Sequence, residues 1–212
     1  MLITVFGATG GTGRLVVMQA LEAGHEVRAV VRDPARVPLE HRNLHVHQAD
    51  VFDPAAIRPA LADVDAVVSA LGAPSRKDTS MVCARGVRSI LTAMEATDVR
   101  RIVAISAQPV LRNGSGDPLW FRSTVLPIVR ALHKNVYVDL ARMEQILVAS
   151  AVEWTIVRPP MLTDKPGTGR YRSAIEANIA GSSLTRADLA TALLDVLADP
   201  TTIRAAIGVT GP

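Results

Sequence analysis

The chain has 212 residues, enough for one domain with a substantial core on a soft prior of ~150 residues per domain. With 49% hydrophobic and 20% charged residues, it is excluded from the low-hydrophobicity, high-charge class of chains that stay disordered. The formal charge is +3, and its 20 arginines and three lysines (Lys77, Lys134, Lys165) are scattered rather than striped, so no dedicated nucleic-acid partner is expected.

Leu2–Phe6 is a short apolar run that ends in Gly7-Ala8-Thr9-Gly10-Gly11-Thr12-Gly13, after which Leu15, Val16, Met18, Gln19 and Leu21 keep a helical rhythm to Gly24. This reads as strand, glycine turn, helix. Glu26–Val31 and Leu44–Gln48 are the next strands, and residues 65–71 a fourth. A helix over residues 79–96 leads into a fifth strand over residues 101–106. Residues 108–118, with prolines, glycines and Asn113, read as a loop. Residues 119–150 read as mostly helical with a break or kink near Pro127. Residues 154–158 make a sixth strand, stopped by Pro159-Pro160. Residues 161–185 are rich in Gly, Pro, Thr and Ser, with one short strand over 171–175. Thr185 then N-caps a helix to Leu197, and residues 206–210 close the pattern as a last strand.

Alternating strands and helices joined by short connections predict a parallel sheet covered on both faces, because parallel neighbours need crossover connections. The expected class is doubly wound α/β, in one domain spanning residues 1–212, with no internal repeat and no sharp boundary. No apolar run approaches the ~20 residues of a bilayer crossing, and the N-terminus lacks the pattern of a signal peptide, so no membrane and a cytoplasmic location are the expectation. A lone Cys83 forms no internal disulfide and no Cys-rich metal site; it reads as a small apolar residue in a helix.

Glycines 7, 10 and 13 lie between a strand and a helix inside a βαβ unit of about 30 residues, the context in which such glycines admit a dinucleotide pyrophosphate to the helix start. The second strand's end chooses the nucleotide: a carboxylate there suits the ribose hydroxyls of NAD, an arginine the 2′-phosphate of NADP. Arg32 stands at that place and Arg36 a turn further on. NADP(H) is therefore preferred, with NAD(H) left open because Asp33 adjoins Arg32; the bland alternative makes Arg32 and Asp33 a solvated charge pair.

The order of ITVFGATGGTG, VVRDP, QADVFD, SALG, AISA and WTIVRPPMLTD resembles the atypical short-chain dehydrogenase/reductases with an NAD(P)-binding, Rossmann-type domain. Within them it looks most like the biliverdin reductase B/flavin reductase group, and more distantly like NmrA-type redox-sensing regulators. The resemblance covers nearly the whole chain. It implies that Thr9, Gly10, Gly11, Thr12 and Gly13 wrap the pyrophosphate and that Arg32 and Arg36 hold the 2′-phosphate. It further implies that Asp50 and Val51 flank the adenine, and that Ala70, Leu71 and Gly72 pass behind the nicotinamide-side ribose. Ser106 and Ala107 would face the nicotinamide, with Ser106 the candidate catalytic residue, and Pro159, Pro160 and Met161 would close over it. Asp50 has a second reading as a cap near Asp53-Pro54, Leu71-Gly72 as a plain turn, and Ser106 as a partner for a backbone group.

Departures from the pattern matter as much. The ordinary short-chain dehydrogenase pairs a tyrosine with a lysine four residues on, which lowers the phenol's pKa for proton exchange with an alcohol or carbonyl. Here Tyr137 is followed at that spacing by Ala141, so carbonyl reduction by that route is disfavoured. Met161 stands where the biliverdin reductase B group usually has a histidine. Asp164, Pro166, Thr168, Gly169 and Tyr171 resemble that group's DxPxTGxY segment, and residues 159–184 are expected to form a substrate-side loop region, with a plain surface loop over residues 163–171 as the alternative.

The expected function is an NADPH-dependent reductase delivering hydride to a small planar acceptor, a flavin, biliverdin-like tetrapyrrole or quinone. The alternative is an NADP(H)-binding redox sensor with little or no catalysis. Trp120 or Tyr171 is the expected substrate contact, from the few aromatics Trp120, Phe121, Tyr137 and Tyr171. Monomer and dimer both stay open. His45 and His47 alternate on a strand without a third metal ligand nearby, Arg100-Arg101 reads as a solvated turn, and Glu144 as an exposed helix position. No metal is expected.

Overall fold

The computed structural model describes residues 1–111, 116 and 119–212, except for the side chains of residues 121 and 122. Six of the residues in the loop expected over 108–118 (112–115, 117 and 118, Asn113 among them) lie outside the described residues, as does the Phe121 ring. In chain order the elements are β1 (Leu2–Phe6), α1 (Gly11–Glu22), β2 (Glu26–Val31), β3 (Leu44–Gln48), α2 (Pro54–Ile57), β4 (Ala66–Ser69), α3 (Val82–Glu95) and β5 (Arg101–Ile105). Then come α4 (Leu126–Leu132), α5 (Lys134–Val148), β6 (Glu153–Arg158), β7 (Met161–Thr163), β8 (Arg172–Ile175), β9 (Ser183–Thr185), α6 (Arg186–Ala198) and β10 (Ala205–Thr210).

β1, β4 and β6 are buried along almost their whole length, as strands covered on both faces must be, and this is why they read as continuous apolar runs rather than alternations. The main sheet runs β3-β2-β1-β4-β5-β6-β10-β8. Every pairing is parallel except β10 with β8. This is the doubly wound α/β, Rossmann-type architecture expected. One face packs against α1 and α6 through Val16, Ala20, Leu189 and Leu193; the other packs against α3 and α5 through Ile90, Met94, Met143 and Leu147. The strand order reverses between β1 and β4, so the crevice for a ligand lies beyond their carboxyl ends.

Three local expectations are corrected and one is refined. α3 starts at Val82, not Thr79: Met81 adopts a left-handed backbone (φ 55°), and the first amides, Cys83 N and Ala84 N, donate to the Asp139 carboxylate of α5 at 3.0 and 2.8 Å. The long helical stretch breaks at His133, and near Pro127 it is distorted rather than broken: a π-helical turn over Phe121–Val125 passes into α4 just before the proline. Arg101 is no solvated turn. It is 7% exposed and donates to the carbonyls of Val196, Leu197 and Glu153 and to the hydroxyls of Thr155 and Thr202, satisfying the C-terminal end of α6. Finally, residues 159–184 hold β7 and β8 besides the start of β9, and β7 and β9 form a separate parallel pair.

Cys83 is a buried residue of α3, as expected. His45 pairs with Glu26 at 2.8 Å and the His47 ring meets the Ala56 carbonyl.

Candidate cofactor and active site

The glycine turn is built by close approach. Gly7 has φ +77°, a conformation open to glycine, and a Cβ there would lie 2.5 Å from the Ala70 carbonyl oxygen. A Cβ on Gly13 would run into the Gly7 carbonyl itself, so α1 can start against the turn only with glycine at 13. Gly10 N donates to Gly7 O at 2.9 Å. No side chain caps the start of α1 and its first turn carries no acidic residue, which leaves free N–H groups and the positive dipole end for an anion. This cradle fits the diphosphate of a dinucleotide.

A cleft of about 380 Å³ opens beside it. It brings together Gly7, Thr9 and Gly10 from the turn, Arg32 from the end of β2, Asp50 and Val51 after β3, and Ala70, Leu71 and Gly72 after β4. Arg36 is exposed one turn further on and is not part of the cleft's lining. Asp33 does not pair with Arg32; its carboxylate accepts from Ala35 N and caps the single turn Pro34–Arg36. The solvated-pair reading of Arg32 and Asp33 is thereby removed. Capping of α2 is done by Asp53, which accepts from Ala55 N and Ala56 N, whereas Asp50 accepts from Phe52 N in an Asx turn. Phe52, which the sequence reading passed over, also lines the cleft, and the Arg85 guanidinium lies 4.3 Å over its ring.

The residues expected at the nicotinamide follow the ends of β5 and β6 and are not part of the cleft's lining. Ser106 N donates to Val157 O and Gln108 N to Pro159 O, which locks the two strand ends together. The Ser106 hydroxyl donates to Glu144 Oε1 at 2.6 Å, and Arg158 closes on the same carboxylate through Nε (3.0 Å) and Nη2 (2.7 Å). Glu144 is therefore not an exposed helix position but is 8% exposed, inside the α5 stripe of Leu140, Met143 and Leu147. Its signal was available: a carboxylate at i+4 from one apolar residue and i−3 from the next falls on the buried face. Ser106 is buried as well, with its proton already committed.

The substrate-side expectations fare differently. Burial pushes the Tyr137 phenol up, opposite to the lowering that proton exchange near neutral pH requires. Met161 on β7 is 68% exposed, and Trp120 is 65% exposed and outside the cleft's lining. Tyr171 donates to Asp195, nine residues beyond Arg186 on α6, or about 13 Å along the helix at 1.5 Å per residue. The rest of its segment follows the same helix. Asp164 accepts from Arg186 Nε at 2.8 Å, and the amides of Thr168 and Gly169 donate to the buried Asp188. The Asp164 to Tyr171 stretch is thus stapled along α6, and Tyr171 is directed away from the cleft.

A family described as NAD(P)H-binding matches residues 7–200. The chain is 32% identical, over 74% of its own length and 47% of the relative's, to a (4-alkanoyl-5-oxo-2,5-dihydrofuran-3-yl)methyl phosphate reductase of Streptomyces griseus. Among solved structures, a short-chain dehydrogenase/reductase of Veillonella parvula in complex with NADP superposes with a TM-score of 0.83 at 21% identity, covering 100% of this chain and 94% of that one. ChuY, an anaerobilin reductase of Escherichia coli O157:H7, gives 0.80 at 20% identity, covering 100% and 98%.

Proposed function

The chain belongs to the NAD(P)H-binding family, and from that premise we propose that it is an NADPH-dependent reductase that passes hydride to a flat conjugated acceptor: a flavin, a linear tetrapyrrole or a quinone. The observation that carries this reading is the cleft in which the glycine cradle and Arg32 meet at the strand-order reversal. The NADP complex of the Veillonella parvula neighbour and the reductase names of the two other relatives lend it support.

In this reading the amides of residues 11–13 would hold the diphosphate against the start of α1, and Arg32, with Arg36 beside it, would meet the 2′-phosphate. Asp50, Val51 and Phe52 flank the adenine, and Ala70, Leu71 and Gly72 back the second ribose. Ala107, Pro159, Pro160 and Met161 exclude water from the nicotinamide. When bound, the reduced nicotinamide supplies the hydride, and a conjugated ring accepts it with a proton obtainable from solvent. What the protein contributes is orientation of two planes. Because the Ser106 hydroxyl donates to Glu144, only its oxygen lone pairs are left, and in this reading Ser106 would accept from an N–H group of cofactor or substrate rather than act as an acid. The lack of a lowered phenol on α5 fits acceptors whose reduction needs no protein acid.

That same lack favours a second reading, a cofactor-occupancy sensor with little catalysis. Oxidation of NADPH and NADH followed by absorbance against FMN, riboflavin, biliverdin and a simple quinone decides between them. Turnover with NADPH and one acceptor class supports the reductase; nucleotide binding without any turnover supports the sensor.

A further inference from the structure

Arg186 opens α6, and its side chain crosses to the start of α1. A Cβ built on Gly11 would lie 2.9 Å from Arg186 Cδ and 3.0 Å from its Nε, so the absence of a side chain at 11 is what lets the guanidinium rest on the glycine turn. The group is held there from behind. Its Nε donates to Asp164 Oδ1 at 2.8 Å, and its two Nη groups make no hydrogen bond among the described residues. A fork of unpaired donors therefore stands beside uncapped α1 amides, in a turn without an acidic residue.

We propose that Arg186 binds the cofactor's diphosphate, closing over it from the α6 side while Asp164 fixes the orientation of the fork. The inference rests on the cofactor reading above and extends it across the molecule. Guanidinium offers parallel N–H donors suited to phosphate oxygens, and hydrogen bonds between ionised partners are roughly twice as strong as neutral ones. Arg186 and Arg32 then divide the work. Arg32 distinguishes NADPH from NADH, whereas Arg186 grips the part common to both.

The test is a fluorescence titration of wild type, Arg186→Gln and Arg186→Lys with NADPH and with NADH, alongside the melting temperature of each ligand-free protein. Arg186→Gln is expected to raise Kd for both nucleotides by the same factor, about tenfold or more, with Arg186→Lys in between, since a lysine keeps the charge but not the fork. Melting is expected to move little, because a half-exposed ion pair contributes little to stability. Kd values within about twofold of wild type for both nucleotides would overturn the role of Arg186 alone, as would a loss confined to NADPH. Failure of the wild type to bind either nucleotide would overturn the cofactor reading and this inference with it.

Discussion

Glu144 and Arg158 form a two-pronged ion pair in which both side chains are about nine-tenths buried, and the same carboxylate accepts the Ser106 hydroxyl. Removing one member leaves the other charge without its partner in a dry setting, at a cost of about 3–5 kcal/mol, whereas replacing both with apolar residues of similar volume is often close to neutral. Glu144→Ala is therefore expected to lose about that much in urea denaturation, and the double variant Glu144→Met with Arg158→Met to recover most of it. If the double variant were less stable than Glu144→Ala, the pair would be contributing to stability in its own right and this account of it would be wrong.

Arg32 is expected to set the nucleotide preference. Arg32→Ala should weaken NADPH by about tenfold or more while NADH moves by less than about twofold, because only NADPH carries the phosphate that a guanidinium at the end of β2 can meet. Titration with both nucleotides measures it, and equal weakening of the two would send the 2′-phosphate to another residue. A loss confined to NADPH would also separate Arg32 from Arg186, whose effect is expected on both.

The parts of the site that could be read in advance are those whose cause is local. Gly7, Gly10 and Gly13 are recognisable because strand, turn and helix follow one another directly, and Arg32 because β2 ends there. The alternation of β and α elements likewise carried the fold. What could not be read are partnerships made across the sheet. Asp139 caps α3 from 55 residues away, and Arg101 meets Val196 at a separation of 95. A polar residue whose partner lies that far off looks like a surface residue when only its neighbours are inspected, which is how Arg101 came to be expected in solvent. Glu144 differs, since its helical stripe of apolar neighbours was visible and outweighs its charge. The Asp164 to Tyr171 stretch adds a feature its motif did not carry: its polar groups fasten it to α6, while Lys165 and Thr168 line a second cavity.

Arg101 supplies a stability prediction. Its guanidinium satisfies the last carbonyls of α6 together with Thr155 and Thr202, so Arg101→Met strips hydrogen bonds from several buried acceptors at once. A loss of about 3 kcal/mol is expected, with little recovery in Arg101→Lys because a point charge cannot span the fork's partners. Chemical denaturation at neutral pH measures it; a loss below about 1 kcal/mol would mean that water replaces the guanidinium at those carbonyls.

Tyr171 tests whether the stapled segment belongs to the fold or to the substrate. Burial, then the hydrogen bond to Asp195 and that residue's charge, push its phenol well above the ordinary value of 10. The folded chain therefore favours the protonated phenol more than the unfolded chain does. The stability this contributes is complete below the unfolded pKa and is lost as pH climbs from about 10 toward the folded value. Tyr171→Phe should accordingly cost on the order of 1 kcal/mol at neutral pH, the worth of one partly exposed hydrogen bond, and should flatten the decline in melting temperature above about pH 10. The Michaelis constants for NADPH and for any active acceptor should stay where they are, since the ring lies along α6 and not in the cleft. A raised Michaelis constant for an acceptor, with the alkaline melting curve unchanged, would return Tyr171 to the substrate side.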